Sequence, residues 1–219
     1  MKTIFISKDI QDLIPELSSL VSENKLTAQS LIDFQALPFD CPPPADITFF
    51  ASIRAADFYL SKCNPGSHVA VAGKETARKI KDKYQLEIAF IAEESGNPVQ
   101  EAVRFNSWRG EQTVIFPASN VSLGTYMKNV PETHKTMIKV YQTVAKQTRI
   151  EKHRIYVFSS PSNVSAFMQA NEFPKDAIII AWGNSTQKAL QSHGIAVQHT
   201  LLKEQQVSLL AWLQTENFI

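Results

Sequence analysis

The sequence predicts an α/β protein of two similar lobes, each a parallel β-sheet flanked by helices, joined by a two-stranded linker. Three observations lead there. Short β-branched and aromatic runs alternate with helix-like segments, the pattern of a parallel sheet covered on both faces. The chain repeats itself: "VAGKETARKIKDKYQLEIAF" (71–90) has a second form in "AWGNSTQKALQSHGIAV" (181–197). Finally, the strand missing from the second copy is found at the opposite end of the chain, so the outer lobe is formed from both chain termini.

The elements follow in order. "KTIFIS" reads as a strand, followed by a helix in "IQDLIPELSSLVSE" and a further segment, "AQSLIDFQAL". Next come "ITFFAS", "HVAVAG", "LEIAFIAE" and "QTVIFPAS", each followed by a predicted helix: Ile53 to Lys62, Lys74 to Tyr84, Pro98 to Trp108 and Val121 to Val130. The last third offers three strands, "RIYVFSS", "AIIIAW" and "IAVQHT", and a closing helix in "KEQQVSLLAWLQTE". The repeat extends upstream, because "DITFFASIRAADFYL" parallels "RIYVFSSPSNVSAFM". Ser160 follows Ser52 by almost the interval at which Gly183 follows Gly73, as duplication requires. The "KTIFIS" unit in turn parallels "QTVIFPAS" and its successors, so the outer copy reads as a circular permutation of the inner one. The expected domains are therefore 1–33 with 148–219 (outer) and 38–137 (inner), with linker strands at 34–37 and 138–147. "LPFDCPPP" suits the first crossing, since a proline run is extended and cannot continue a helix. Two crossing strands imply a hinge, and the expectation is a cleft shared by the lobes.

Composition narrows the function. Twenty-two Lys and Arg nearly balance 21 Asp and Glu, which argues against a broad nucleic-acid-binding surface. No apolar run reaches membrane-spanning length, and that of "MKTIFISKDI" is too short for a signal-peptide core, so no membrane association and a cytoplasmic location are expected. Cys41 and Cys63 lack metal-ligand spacing and are expected as reduced thiols. The five histidines show neither HxH nor HExxH spacing, so no metal site is expected. There is no G-x-S-x-G elbow, "GKET" lacks the spacing of a P-loop, and "AGKETA" lacks the later glycines of a dinucleotide fingerprint. Without coiled-coil heptads, a monomer is expected.

In open parallel sheets ligands bind beyond the carboxyl ends of the strands. The strand-to-helix turns there carry Ser52, Gly73 to Thr76, "ASNVS" (118–122), "SSPSN" (159–163) and "GNST" (183–186). Each places hydroxyls, amides or glycine where a helix begins and unpaired N–H groups favour anions. Ser, Thr and Asn also serve there as plain helix caps. Five such turns divided between two lobes suggest a ligand with several separated anionic groups, held by neutral donors. Trp108, Trp182 and Trp212 read as packing residues, although Trp182 stands beside a ligand-type turn. Tyr141, in the alternating "KVYQTV", lies near the expected hinge; it is either a packed ring or a phenol acting as an acid.

The ordered set "ITFFASIRAADF", "VAVAGKETARKI", "VIFPAS", "KVYQTV", "VFSSPSNVSAF" and "IIIAWGNSTQKALQSHGI" resembles the uroporphyrinogen-III synthase family over nearly the whole chain. The resemblance implies cofactor-free ring closure of hydroxymethylbilane, a linear tetrapyrrole bearing acetate and propionate groups, to uroporphyrinogen III with loss of water and inversion of ring D. It further implies that Tyr141, on the family's VYxT tyrosine, assists loss of the hydroxyl. Thr76 and Thr186 fall on its two G-x-x-T turns, and Ser52 and Ser160 on its strand-end serines. These four, with Ser162, Asn184 and backbone amides, are expected to contact substrate carboxylates. The sequence departs from the family at "ASIR", where a serine-proline pair is usual, at "FPASN", which lacks an arginine and glycine, and at "SKD", where arginine-proline is common and Lys8 is expected to replace part of that positive charge. Two other readings fit the residues: a catalytically silent two-lobed binding protein for an anionic metabolite, and a flavodoxin-like pair binding a flavin phosphate.

Overall fold

A computed structural model of the chain describes residues 3–92, 98–122, 124–201 and 204–219. Lys2, Glu93, Leu123 and Lys203, which the expected elements include, lie outside the described residues. The chain divides into two compact units, 1–33 with 144–219 and 34–143.

The first unit holds the sheet β11-β10-β9-β1-β2. Its strands are β1 (Ile4–Ile6), β2 (Leu26–Ala28), β9 (Ile155–Phe158), β10 (Ile178–Ala181) and β11 (His199–Thr200), all paired in parallel. Every residue of β1 and β9 is buried, as strands covered on both faces require. Alternation then sorts the side chains. Ile4, Ile6, Ile155 and Val157 pack on one face with Leu17, Leu209 and Leu213; Phe5, Tyr156 and Phe158 pack on the other with Val164 and Phe167. The covering helices are α1 (Pro15–Ser22), α5 (Pro161–Ala170), α6 (Asn184–Ser192) and α7 (Gln205–Thr215).

The second unit holds the sheet β3-β8-β7-β4-β5-β6. Its strands are β3 (Ile32–Ala36), β4 (Ile47–Phe50), β5 (His68–Ala72), β6 (Ile88–Ala92), β7 (Val114–Ser119) and β8 (Lys135–Ala145). From β8 to β6 they pair in parallel. The same alternation sends Ile47 and Phe49 toward Phe90, Phe105 and Phe116, and Phe50 toward Tyr59, Val71, Ile115 and Val140. Helices α2 (Ile53–Leu60), α3 (Lys74–Tyr84) and α4 (Pro98–Arg109) cover it. The chain passes between the units within β3 and within β8, neighbours in this sheet; Leu37 N donates to Val140 O at 3.0 Å.

Four expectations differ from the structure. Among the described residues of 121–130 the expected helix does not form; they hold a 3-10 turn, Met127–Asn129, and Gly124 at φ 61°, a left-handed conformation that interrupts a right-handed helix. The expected strand "IAVQHT" shrinks to β11. The first expected helix divides into a 3-10 turn, Ile10–Asp12, and α1, which starts where Pro15 fixes its first turn. Cys41 and Cys63 are not free thiols but a disulfide, with Cα atoms 5.6 Å apart. The fold returns the proline-rich segment after β3 to the end of α2, where Phe39 stacks on Tyr59 at 6.3 Å. That encounter is invisible to spacing along the chain.

Candidate functional site

The carboxyl rim of each sheet is built the same way. In the second unit β4 pairs with β5 as Phe50↔Val71, and two residues further that register sets Ser52 level with Gly73. In the first unit β9 pairs with β10 as Phe158↔Ala181, and the same step sets Ser160 level with Gly183. Both serines are extended helix caps. Ser52 Oγ accepts from Ala55 N at 3.2 Å, and Ser160 Oγ from Asn163 N at 3.3 Å. Capping thus occupies one lone pair of each hydroxyl, and both residues stay half-buried at the rim.

The two glycines start α3 and α6 at φ 85° and 95°, a region open to glycine and strained for other residues. Neither helix has a side-chain cap, so the N–H groups of both first turns remain open to an anion. The threonines of the two turns differ. Thr76 is half-buried, and its hydroxyl has no partner among the described residues. Thr186 is 1 % exposed and donates back to Trp182 O at 3.4 Å, so its turn offers backbone donors and the exposed Asn184 instead. Ser162, in the first turn of α5, is half-buried and also lacks a side-chain partner among the described residues.

Sequence reasoning missed Asn163. It is 3 % exposed; its Oδ1 accepts from Leu31 N at 2.7 Å and its Nδ2 donates to Ser160 Oγ at 3.0 Å. Ser159 continues the network, its N donating to Ser7 Oγ at 2.8 Å and its Oγ to Ser7 O at 2.5 Å. One amide therefore ties the capping serine of α5 to the chain just before β3. Its presence in "SSPSN" was the only signal.

Tyr141 stands on β8, paired with Ser119 at the carboxyl end of β7. The β4–β7 register, Ile47↔Val114, carries Ser52 to the same level as Ser119. Tyr141 thus belongs to the second unit's rim. Its ring is 8 % exposed, stacked on Phe58 at 5.1 Å and met edge-on by Phe34 at 5.9 Å, while the Arg54 guanidinium lies 3.3 Å from the Phe34 ring centre. The Tyr141 hydroxyl has no partner among the described residues and is not sealed from solvent. A clamped ring with an open phenol is suited to donating a proton.

On the opposite face of this sheet a cavity of about 270 Å³ opens at the same rim, lined by Phe49, Ala72, Phe116, Tyr126 and Met127. Burial, and then the charge of Glu101, push the Tyr126 phenol above its usual pKa. Among the described residues no cluster of three or more His, Cys, Asp or Glu is suited to a metal, and no helix is long and apolar enough to cross a membrane.

Two parallel-dominated sheets flanked by helices, one assembled from both ends of the chain, define a two-unit α/β protein whose carboxyl rims carry hydroxyls and open helix N–H groups. A family model described as uroporphyrinogen-III synthase HemD matches residues 15–210, and the chain belongs to that family of cyclising lyases. The fold is similar to that of uroporphyrinogen-III synthetase from Helicobacter pylori 26695, with a TM-score of 0.70 at 18 % identity, over 97 % of this chain and 100 % of the other. It is also similar to a mutant uroporphyrinogen III synthase from the extremely thermophilic bacterium Thermus thermophilus, with a TM-score of 0.58 at 10 % identity over 98 % of each chain. A sequence search of curated proteins returns no match.

Proposed function

We propose that this chain cyclises hydroxymethylbilane to uroporphyrinogen III with loss of water and inversion of the last pyrrole ring. Membership of the family over residues 15–210 carries the reading. The rims described above support it, since each offers neutral donors to the separated carboxylates of such a substrate. Ser52, Thr76 and the first turn of α3 serve in the second unit; Ser160, Ser162, Asn184 and the first turn of α6 serve in the first. Thr186 contributes by shaping its turn rather than through its buried hydroxyl. No cofactor takes part.

In this mechanism Tyr141 gives its phenolic proton to the terminal hydroxyl, which departs as water and leaves an electrophilic azafulvene. The substituted carbon of ring D attacks to form a spiro intermediate. Fragmentation and recombination invert the ring, and proton loss restores aromaticity. Unguided closure yields the type I isomer, so holding the flexible chain in the spiro-forming geometry is the main task of the protein. Tyr141 suits the acid role because Phe58 and Phe34 fix its ring while its hydroxyl stays open. The test supplies hydroxymethylbilane, oxidises the products and measures the ratio of type III to type I isomers. Excess type III with the protein supports the proposal, and an unchanged ratio with folded protein rejects it.

The same proposal places the protein in the cytoplasm as a monomer.

A further inference from the structure

A cavity of about 480 Å³ lies at the carboxyl rim of the first unit, bounded by Lys8, Ser159, Trp182, Glu204 and the first turn of α7. Its volume is typical of small-molecule sites, roughly 300–1,000 Å³. Lys8 Nζ sits 5.8 Å from the centre of the Trp182 ring. That is the outer limit of a cation–π contact, about 6 Å, and leaves the three donors of an ammonium group unsatisfied by hydrogen bonds. No carboxylate pairs with Lys8 among the described residues. The adjacent Asp9 is engaged elsewhere, accepting from Ser30 N at 3.0 Å.

The walls are held in place. Lys8 N donates to Ile6 O at 2.8 Å, and the preceding Ser7 is fully buried and bonded to Ser159. Trp182 N donates to Phe158 O at 2.9 Å. Gln206 anchors the start of α7, accepting from Ile14 N at 2.7 Å and donating to Asp12 O at 3.1 Å. A half-buried, unpaired ammonium and a flat indole wall on a hydrogen-bonded rim are complementary to a flat ring that carries a carboxylate.

We infer that Lys8 and Trp182 form a pyrrole-carboxylate subsite, in which the ammonium pairs with an acetate or propionate and the indole covers the ring that bears it. This inference rests on the proposed substrate. It makes Lys8 a binding residue, at a position the sequence offered as a partial replacement for the charge of the family's arginine.

Its test combines kinetics with a binding signal independent of turnover. The probe is porphobilinogen, a single pyrrole bearing one acetate and one propionate, titrated into 15N-labelled protein. The indole N–H resonance of Trp182, assigned with Trp182→Phe, is followed, and the same spectra report whether each variant is folded. In the wild type that resonance is expected to shift, and in Lys8→Gln to shift no more than background. For hydroxymethylbilane, loss of a charge-assisted contact raises KM on the order of tenfold with kcat less affected, and Lys8→Arg recovers most of the loss. A wild type that makes type III product, with KM and the Trp182 response both unchanged in folded Lys8→Gln, overturns the subsite and leaves the proposed function standing. A wild type that leaves the isomer ratio unchanged yet shows a Lys8-dependent Trp182 shift supports the subsite and rejects the synthase reading. Absence of any Trp182 response in the wild type overturns the subsite.

Discussion

Replacing Asn163 with leucine removes a polar junction while nearly conserving volume. The amide is 3 % exposed and is the partner of Leu31 N, which itself precedes the passage of the chain from one unit to the other. Without Oδ1, a buried N–H loses its acceptor, at a cost of about 1–3 kcal/mol. Loss of the Nδ2 bonds to Ser159 and Ser160 adds roughly 1 kcal/mol, since hydroxyls at a half-buried rim recover water in part. The sum, about 2–4 kcal/mol, is read by urea unfolding monitored by circular dichroism. Asn163→Asp keeps an acceptor for Leu31 N and should cost clearly less than Asn163→Leu. The leucine variant should also bind hydroxymethylbilane less tightly, because the capping Ser160 loses a contact that orients it. A leucine variant within about 0.5 kcal/mol of wild type, the usual range for surface changes, would refute the junction. So would an aspartate variant as damaged as the leucine one.

The remaining predictions concern other parts of the molecule. Tyr141→Phe keeps the stacked ring and deletes an unpartnered hydroxyl, so stability should hold while kcat falls on the order of a hundredfold, the lower range of general-acid contributions; full turnover would return Tyr141 to packing alone. Reduction of Cys41–Cys63 opens a loop spanning a sequence separation of 22. It should destabilise the second unit by about 3 kcal/mol, and coincident urea transitions of the oxidised and reduced protein would contradict this. Asp46 is held below the usual carboxyl range first by the backbone N–H of Thr113 and then by its hydroxyl. Its stabilising effect is therefore complete above the ordinary carboxyl pKa and disappears as pH falls through the lowered folded value. Asp46→Asn should accordingly lose stability near neutrality and converge with wild type in acid; a pH-independent difference would rule out that linkage.

What the sequence made legible was periodic or repeated. β1, β4 and β9 read as strands because every residue is apolar or β-branched, and α3 begins and ends as its pattern predicts. The matched serine and glycine of each rim were visible because the chain states them twice. Features that depend on distant partners were hidden. Asn163 meets Leu31 across 132 residues, and Tyr141 takes its stacking partner from α2. Thr76 and Thr186 look alike in the sequence, yet only Thr186 is sealed beneath its turn. Gly124, at a left-handed φ of 61°, breaks the helix that alternation alone predicted after β7. Lys8 was readable as a partial replacement for the charge of the family's arginine; the cavity beside Trp182 gives it a chemical setting.

On the proposed function, this fold steers how a linear tetrapyrrole closes. The most direct test is the isomer composition of uroporphyrinogen formed from hydroxymethylbilane with and without the purified protein. Predominant type III product in its presence, against type I alone, is the expected result. Type I in equal proportion under both conditions, with the protein folded throughout, would contradict it.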